Sequence, residues 1–73
     1  MKNFSSNLLG EKIKYLRKEK GIGQNLLAQE LGVSNASISY WETGKQIPSA
    51  EVVYKIAIYF GVSTDYLLGI KEE

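Results

Sequence analysis

Apolar residues recur along the chain at spacings of three and four, and single glycines punctuate them. Leu9, Ile13 and Leu16 form one stripe among the strong helix formers of residues 9–20, and Gly21 follows as a stop. In the run QNLLAQEL, residues 24–31, Leu27, Ala28 and Leu31 share a face before Gly32. Ser34 is a suitable N-cap for NASISYWE, in which Ile38 and Trp41 share a face and which Gly44 closes. Pro48-Ser49 opens a fourth helix, whose Ala50, Val53, Ile56, Ala57 and Phe60 make a broad apolar face up to Gly61. Ser63 caps a short fifth helix through Leu68, ended by Gly69. No run alternates with the period of a strand, so the spacing predicts an all-α fold: a compact bundle of five short helices whose local contacts favour fast folding.

The second and third helices are separated only by Gly32-Val33-Ser34. A turn this tight favours a crossing of about 90 to 120°. Ala28 is small where the helices must approach, Gly32 tolerates positive φ, and Leu27, Leu31, Val33, Ile38 and Trp41 fill the wedge between them.

Composition narrows the possible functions. With 73 residues the chain holds one core, so residues 1–73 are read as a single domain. It contains no cysteine and no histidine, which removes disulfides, thiolate zinc sites, an imidazole base and a Ser-His-Asp triad. The carboxylates are scattered rather than convergent, so no catalytic residue, metal, cofactor or small-molecule substrate is expected, and the chain is not read as an enzyme. Its longest apolar runs are far too short to span a bilayer and its amino terminus lacks an apolar signal core, so a cytoplasmic protein without a membrane partner is expected. The net charge of +1 conceals a division. Residues 1–20 carry six cations against two carboxylates, whereas residues 21–73 carry three lysines against six. Such a molecule can turn a basic side towards phosphates; a merely solvated face on the first helix is the competing reading.

Taken together, the run QNLLAQELGVSNASISYWETGK is more specific than its parts. Gln24, Ala28 four positions on, Gly32 four further, then Ile38, Trp41, an E-x-G-K and a P-S resemble the helix-turn-helix of Cro/C1-type regulators, the phage-repressor and xenobiotic-response-element family. The resemblance covers residues 10–69, because GEKIKYLRKEKG looks like that family's first helix and PSAEVVYKIAIYFGVSTDYLL like its last two. It implies a bacterial or phage transcription regulator, a repressor, that binds a palindromic double-stranded DNA operator as a homodimer. The third helix is then expected in the major groove, with Asn35, Ala36, Ser39 and Tyr40 facing base edges. Gln24, Ser37, Thr43 and Lys45 match positions that face phosphates. Arg17 and Glu42 match a structural ion pair between the first helix and the end of the third.

The chain also departs from that pattern. Its reading face has no Arg, Lys or Gln, so short polar groups, methyl contacts and DNA shape are expected to share recognition. Gly23 stands where Ser or Thr is common, and Leu26, Ile58 and Tyr59 are apolar where the family is more often polar. Ile58 and Tyr59, with Tyr66, Leu67 and Ile70, are expected to form a two-fold dimer surface, setting two reading helices about one DNA turn, ~34 Å, apart. The same fold also serves as an antitoxin or antagonist, and the Ile58 and Tyr59 patch would then receive a protein partner.

Overall fold

Serine hydroxyls open four of the helices. In the computed structural model, which describes residues 3–71, Ser5, Ser34, Ser49 and Ser63 each accept a hydrogen bond from the backbone N–H three residues on, at 3.0 to 3.2 Å. Such a cap contributes about 1 kcal/mol. The elements are α1 (Ser6–Glu19), α2 (Gln24–Leu31), α3 (Asn35–Glu42), α4 (Ala50–Phe60) and α5 (Thr64–Leu68), with no strand among the described residues. Helix α1 begins three residues before the first apolar position that predicted it. Ser5, Ser6 and Asn7 lie before the apolar stripe, and short polar side chains compete for backbone hydrogen bonds, but here the Ser5 hydroxyl caps the helix instead.

All five helices contribute to one core: Leu9 and Ile13 from α1, Leu27, Ala28 and Leu31 from α2, Ile38 and Trp41 from α3, Val53, Ile56 and Ala57 from α4, and Leu67 from α5. Between α2 and α3, Gly32 takes φ 71°, a left-handed conformation that a side chain would strain, and its N–H closes the helix on Ala28 and Gln29. Two expectations fail on packing grounds. Ala50, read as part of the apolar face of α4, lies exposed in its first turn. Leu67, read as a dimer-surface residue, is wholly buried: α5 is little more than one turn long, and Leu67 is the side chain it turns inward to seal the core.

Lys12 is an unexpected member of the interior. Its ammonium donates to the carbonyl of Tyr66 at 2.6 Å and lies 4.6 Å from the Tyr66 ring centroid. An isolated five-residue helix has no stability in water. The cation from α1 therefore anchors it, at an end where the peptide dipoles favour positive charge and beside a ring face that also attracts it.

Helices α1 and α3 meet through backbone as well as side chains. Gly10 lies in mid-helix, where glycine is unfavourable, yet a Cβ there would collide with the carbonyl oxygen of Trp41 and stand 2.9 Å from that of Glu42. Close approach decides this residue, not conformational freedom. Replacing Gly10 with Ala should destabilise the fold by about 1 to 3 kcal/mol despite alanine's better helix propensity. In thermal unfolding, each kcal/mol lowers the midpoint by about 4 to 8 °C for a chain this size, and an unchanged midpoint would show that the two helices separate freely.

Candidate nucleic-acid interface

The outward stripe of α3 is short, polar and uncharged. Asn35 and Ala36 are exposed in its first turn, Tyr40 is 42% exposed one turn later, and Ser39 lies half-buried between them. Ile38 and Trp41 fix this stripe by occupying the opposite face. The four residues expected to read bases therefore stand together on one surface, free of core duties.

Glu42, the only charged residue of α3, does not face outward. Arg17 grips its carboxylate with two parallel hydrogen bonds, Nε to Oε2 at 2.6 Å and Nη2 to Oε1 at 3.0 Å, while Nη1 donates to the Ile22 carbonyl at 3.0 Å. The side chains are only 11% and 3% exposed. The hydrogen bond to Glu42 raises the Arg17 guanidinium above its ordinary pKa; burial opposes this and the Glu42 charge reinforces it. The cation therefore stays charged wherever the fold exists. With its charge matched, the carboxylate adds no repulsion at the end of a helix that would approach phosphates.

The residues expected to hold phosphates divide into distinct situations. Gln24 is half-buried, and its amide donates to Oε1 of Glu42 at 3.1 Å, which ties the start of α2 to the same carboxylate and leaves one amide proton unused. Gly23 gives α2 no side-chain cap, unlike the four serine-capped helices. Ser37 shares a 2.9 Å hydrogen bond with Ser34, either hydroxyl donating. Thr43 spends its proton on the carbonyls of Ser39 and Tyr40, at 2.9 and 3.2 Å. Lys45 is exposed and forms no ion pair with any described residue, so its ammonium is the readiest phosphate ligand of the set.

A family model described as helix-turn-helix matches residues 13–67. The chain belongs to the Cro/C1-type helix-turn-helix family. The transcriptional activator BcrR of Enterococcus faecalis is 42% identical over 62 residues, which cover 85% of this chain and 30% of that protein. A crystal structure of the c2 repressor of Salmonella phage P22 with a synthetic operator superposes with a TM-score of 0.80 at 39% identity, covering 84% of this chain and 92% of the other. The N-terminal DNA-binding domain of SinR from Bacillus subtilis gives 0.80 at 35%, covering 92% and 99%. Against three curated relatives, BcrR among them, the match spans 30, 56 and 50% of their own lengths. No helix among the described residues is long and apolar enough to cross a membrane.

Within this helix-turn-helix, two features escaped sequence reading. Gln24 is expected to face phosphate, and the Glu42 carboxylate also recruits its amide; an amide near a helix start carries no signal of a partner 18 residues away. Lys12 and Lys20 are among the cations expected to form either a basic side towards phosphates or a solvated face, yet each covers a tyrosine: Lys12 over Tyr66, and Lys20 at 4.7 Å over Tyr59. Only their placement beside the C-terminal helices reveals it.

Breaking the ion pair separates its contributions. Arg17→Met should cost about 3 to 5 kcal/mol in urea unfolding because a carboxylate is left buried, whereas Arg17→Met with Glu42→Leu should recover most of that loss. Equal losses in the single and double variants would mean that the guanidinium is valued for its packing alone.

Proposed function

We propose that the chain binds double-stranded DNA and regulates transcription, with α3 in the major groove and the start of α2 and the Lys45 loop on the phosphate backbone. The observation that carries this is the exposed, uncharged stripe of α3 held in place by the Arg17, Glu42 and Gln24 network, in a chain that superposes on a repressor solved with its operator. Asn35 pairs at an adenine edge, Ala36 contacts a thymine methyl, and Ser39 and Tyr40 supply further hydroxyls. Gln24 contributes its remaining amide proton and the free backbone N–H groups of the α2 start, and Lys45 a point charge. Ser37 joins them, and Thr43 once its hydroxyl turns from its carbonyls.

The protein acts in the cytoplasm as a repressor that occupies a palindromic operator as a dimer, and it has no catalytic role. Repression follows from occupancy alone, which needs no surface beyond the one described. Recognition rests as much on DNA shape as on hydrogen bonds, because no arginine or lysine is present on the stripe to grip guanine.

Selection from a random duplex library should enrich a two-fold-symmetric motif with half-sites about one turn apart, ~34 Å; no enrichment would overturn the proposal. On the selected site, Asn35→Ala should relax one base position per half-site by about 1 to 3 kcal/mol. Lys45→Ala should weaken all sequences alike and reduce the slope of log affinity against log salt by about 1.

A further inference from the structure

From Thr43 to Gln46, the loop after α3 keeps no main-chain donor for a phosphate. The N–H groups of Thr43 and Gly44 close on the carbonyls of Ser39 and Trp41, and those of Lys45 and Gln46 both close on Tyr40, at 2.9 to 3.3 Å. What this stretch offers a duplex must come from its side chains, and of these only Lys45 is charged. An ammonium on a flexible four-carbon stem gains most from a contact when the backbone beneath it is already fixed. Gly44, directly before Lys45, is the weak point of that backbone. It takes φ 77°, and glycine leaves one conformation for another more readily than any other residue.

The first turn of α1 meets this weak point. The Ser6 hydroxyl donates to the Gly44 carbonyl at 3.2 Å. Asn7 closes on the same residue: a Cβ on Gly44 would collide with Asn7 Oδ1 and stand 3.3 Å from the Asn7 Cα. The Ser5 hydroxyl, by capping Leu8, fixes the turn that carries both residues. We propose that Ser6 and Asn7 are positioning residues for the phosphate grip of Lys45, holding the Gly44 backbone in its working shape before DNA arrives; the inference rests on the DNA-binding reading.

The peptide unit that joins Gly44 to Lys45 carries the argument. It is planar, so its carbonyl and its N–H turn together. The carbonyl is tied to α1 through Ser6, and the N–H is tied to α3 through Tyr40 at 2.9 Å. The unit cannot rotate without breaking one of the two bonds. With the Ser6 hydroxyl gone it is held on one side only, and binding must then fix the freed backbone again, at a cost in conformational entropy. Neither Ser6 nor Asn7 belongs to the core, to which α1 contributes Leu9 and Ile13. Ser6 is half-buried and its proton is already given to Gly44, so it acts on a phosphate through Lys45 and not by touching it.

A phosphate grip is independent of sequence, so a mixed-sequence duplex of about 20 base pairs in about 50 mM salt serves as the probe. In fluorescence anisotropy, Ser6→Ala should weaken binding about 2- to 12-fold, the loss expected of one hydrogen bond, and Ser6→Thr, which keeps the hydroxyl, should restore it. The slope of log affinity against log salt should fall towards that of Lys45→Ala. In a Lys45→Ala background, Ser6→Ala should weaken binding by less than about twofold, because no ammonium is left to position. Equal losses in the two backgrounds, or no loss with Lys45 present, would overturn the proposal. Amide relaxation measured by NMR on the free protein tests the brace without DNA. In Ser6→Ala and, as a second variant, in Asn7→Ala, order parameters at Gly44 and Lys45 should fall from ~0.85 towards ~0.6 while those of α4 hold. Unchanged values, or a loss of order spread through α4 and α5, would overturn it as well. If the parent binds no duplex, the DNA-binding reading fails, while the relaxation data still decide whether the two residues hold the loop.

Discussion

Glu42 is the last residue of α3, yet its carboxylate is satisfied by two other helices: α1 through both arms of Arg17 and α2 through the amide of Gln24. One buried anion thus fixes the relative placement of three elements. The hydrophobic wedge of Leu27, Ile38 and Trp41 supplies the burial energy, but apolar contacts are non-directional and tolerate sliding. A forked guanidinium on a planar carboxylate does not tolerate it, because both parallel hydrogen bonds fail when the partners rotate. Around this junction the other close contacts fall into line: Gly10 lets the α1 backbone touch the end of α3, and the Ser6 hydroxyl donates to the Gly44 carbonyl just beyond it at 3.2 Å.

The molecule separates its charges by task rather than by number. A net charge of +1 would suit almost any soluble domain, and the reading helix contributes nothing to long-range attraction. Lys12 and Lys20, two of the lysines that give the first twenty residues their positive balance, are engaged with tyrosine rings. Attraction to a polyanion is therefore left to a few exposed ammonium groups and helix starts, which favours discrimination by fit over strong non-specific adhesion.

The fold was largely legible in the sequence because each element declares its ends. Serine caps open α3, α4 and α5, and a glycine follows each of α2, α3, α4 and α5, so the 3.6-residue periodicity is bracketed and local and global preferences agree. The start of α1 was not legible, since Ser5, Ser6 and Asn7 carry no apolar period. On the interface, the exposure of Asn35, Ala36 and Tyr40 followed from helical geometry once Ile38 and Trp41 were placed inside. What sequence could not supply were partnerships across long separations: Lys12 with Tyr66, 54 residues apart, and Gln24 with Glu42. Leu67 was misjudged for a related reason. A helix of five residues is too short for its periodicity to say which side chain faces in.

The exposed stripe on α3 has a consequence for how such a protein can change. Asn35, Ala36 and Tyr40 contribute nothing to the core, and surface positions of this kind are usually replaceable within about 0.5 kcal/mol of folding stability. The framework beneath them, Ile38, Trp41 and the anchored Glu42, imposes no choice on what they are. If these residues read bases as proposed, drift at three or four codons can redirect the chain to a new target without any compensating change elsewhere, whereas drift at Gly10 or Arg17 cannot be borne alone. The fold keeps its addressable surface and its scaffold on separate residues, so a lineage can diversify the one while holding the other still.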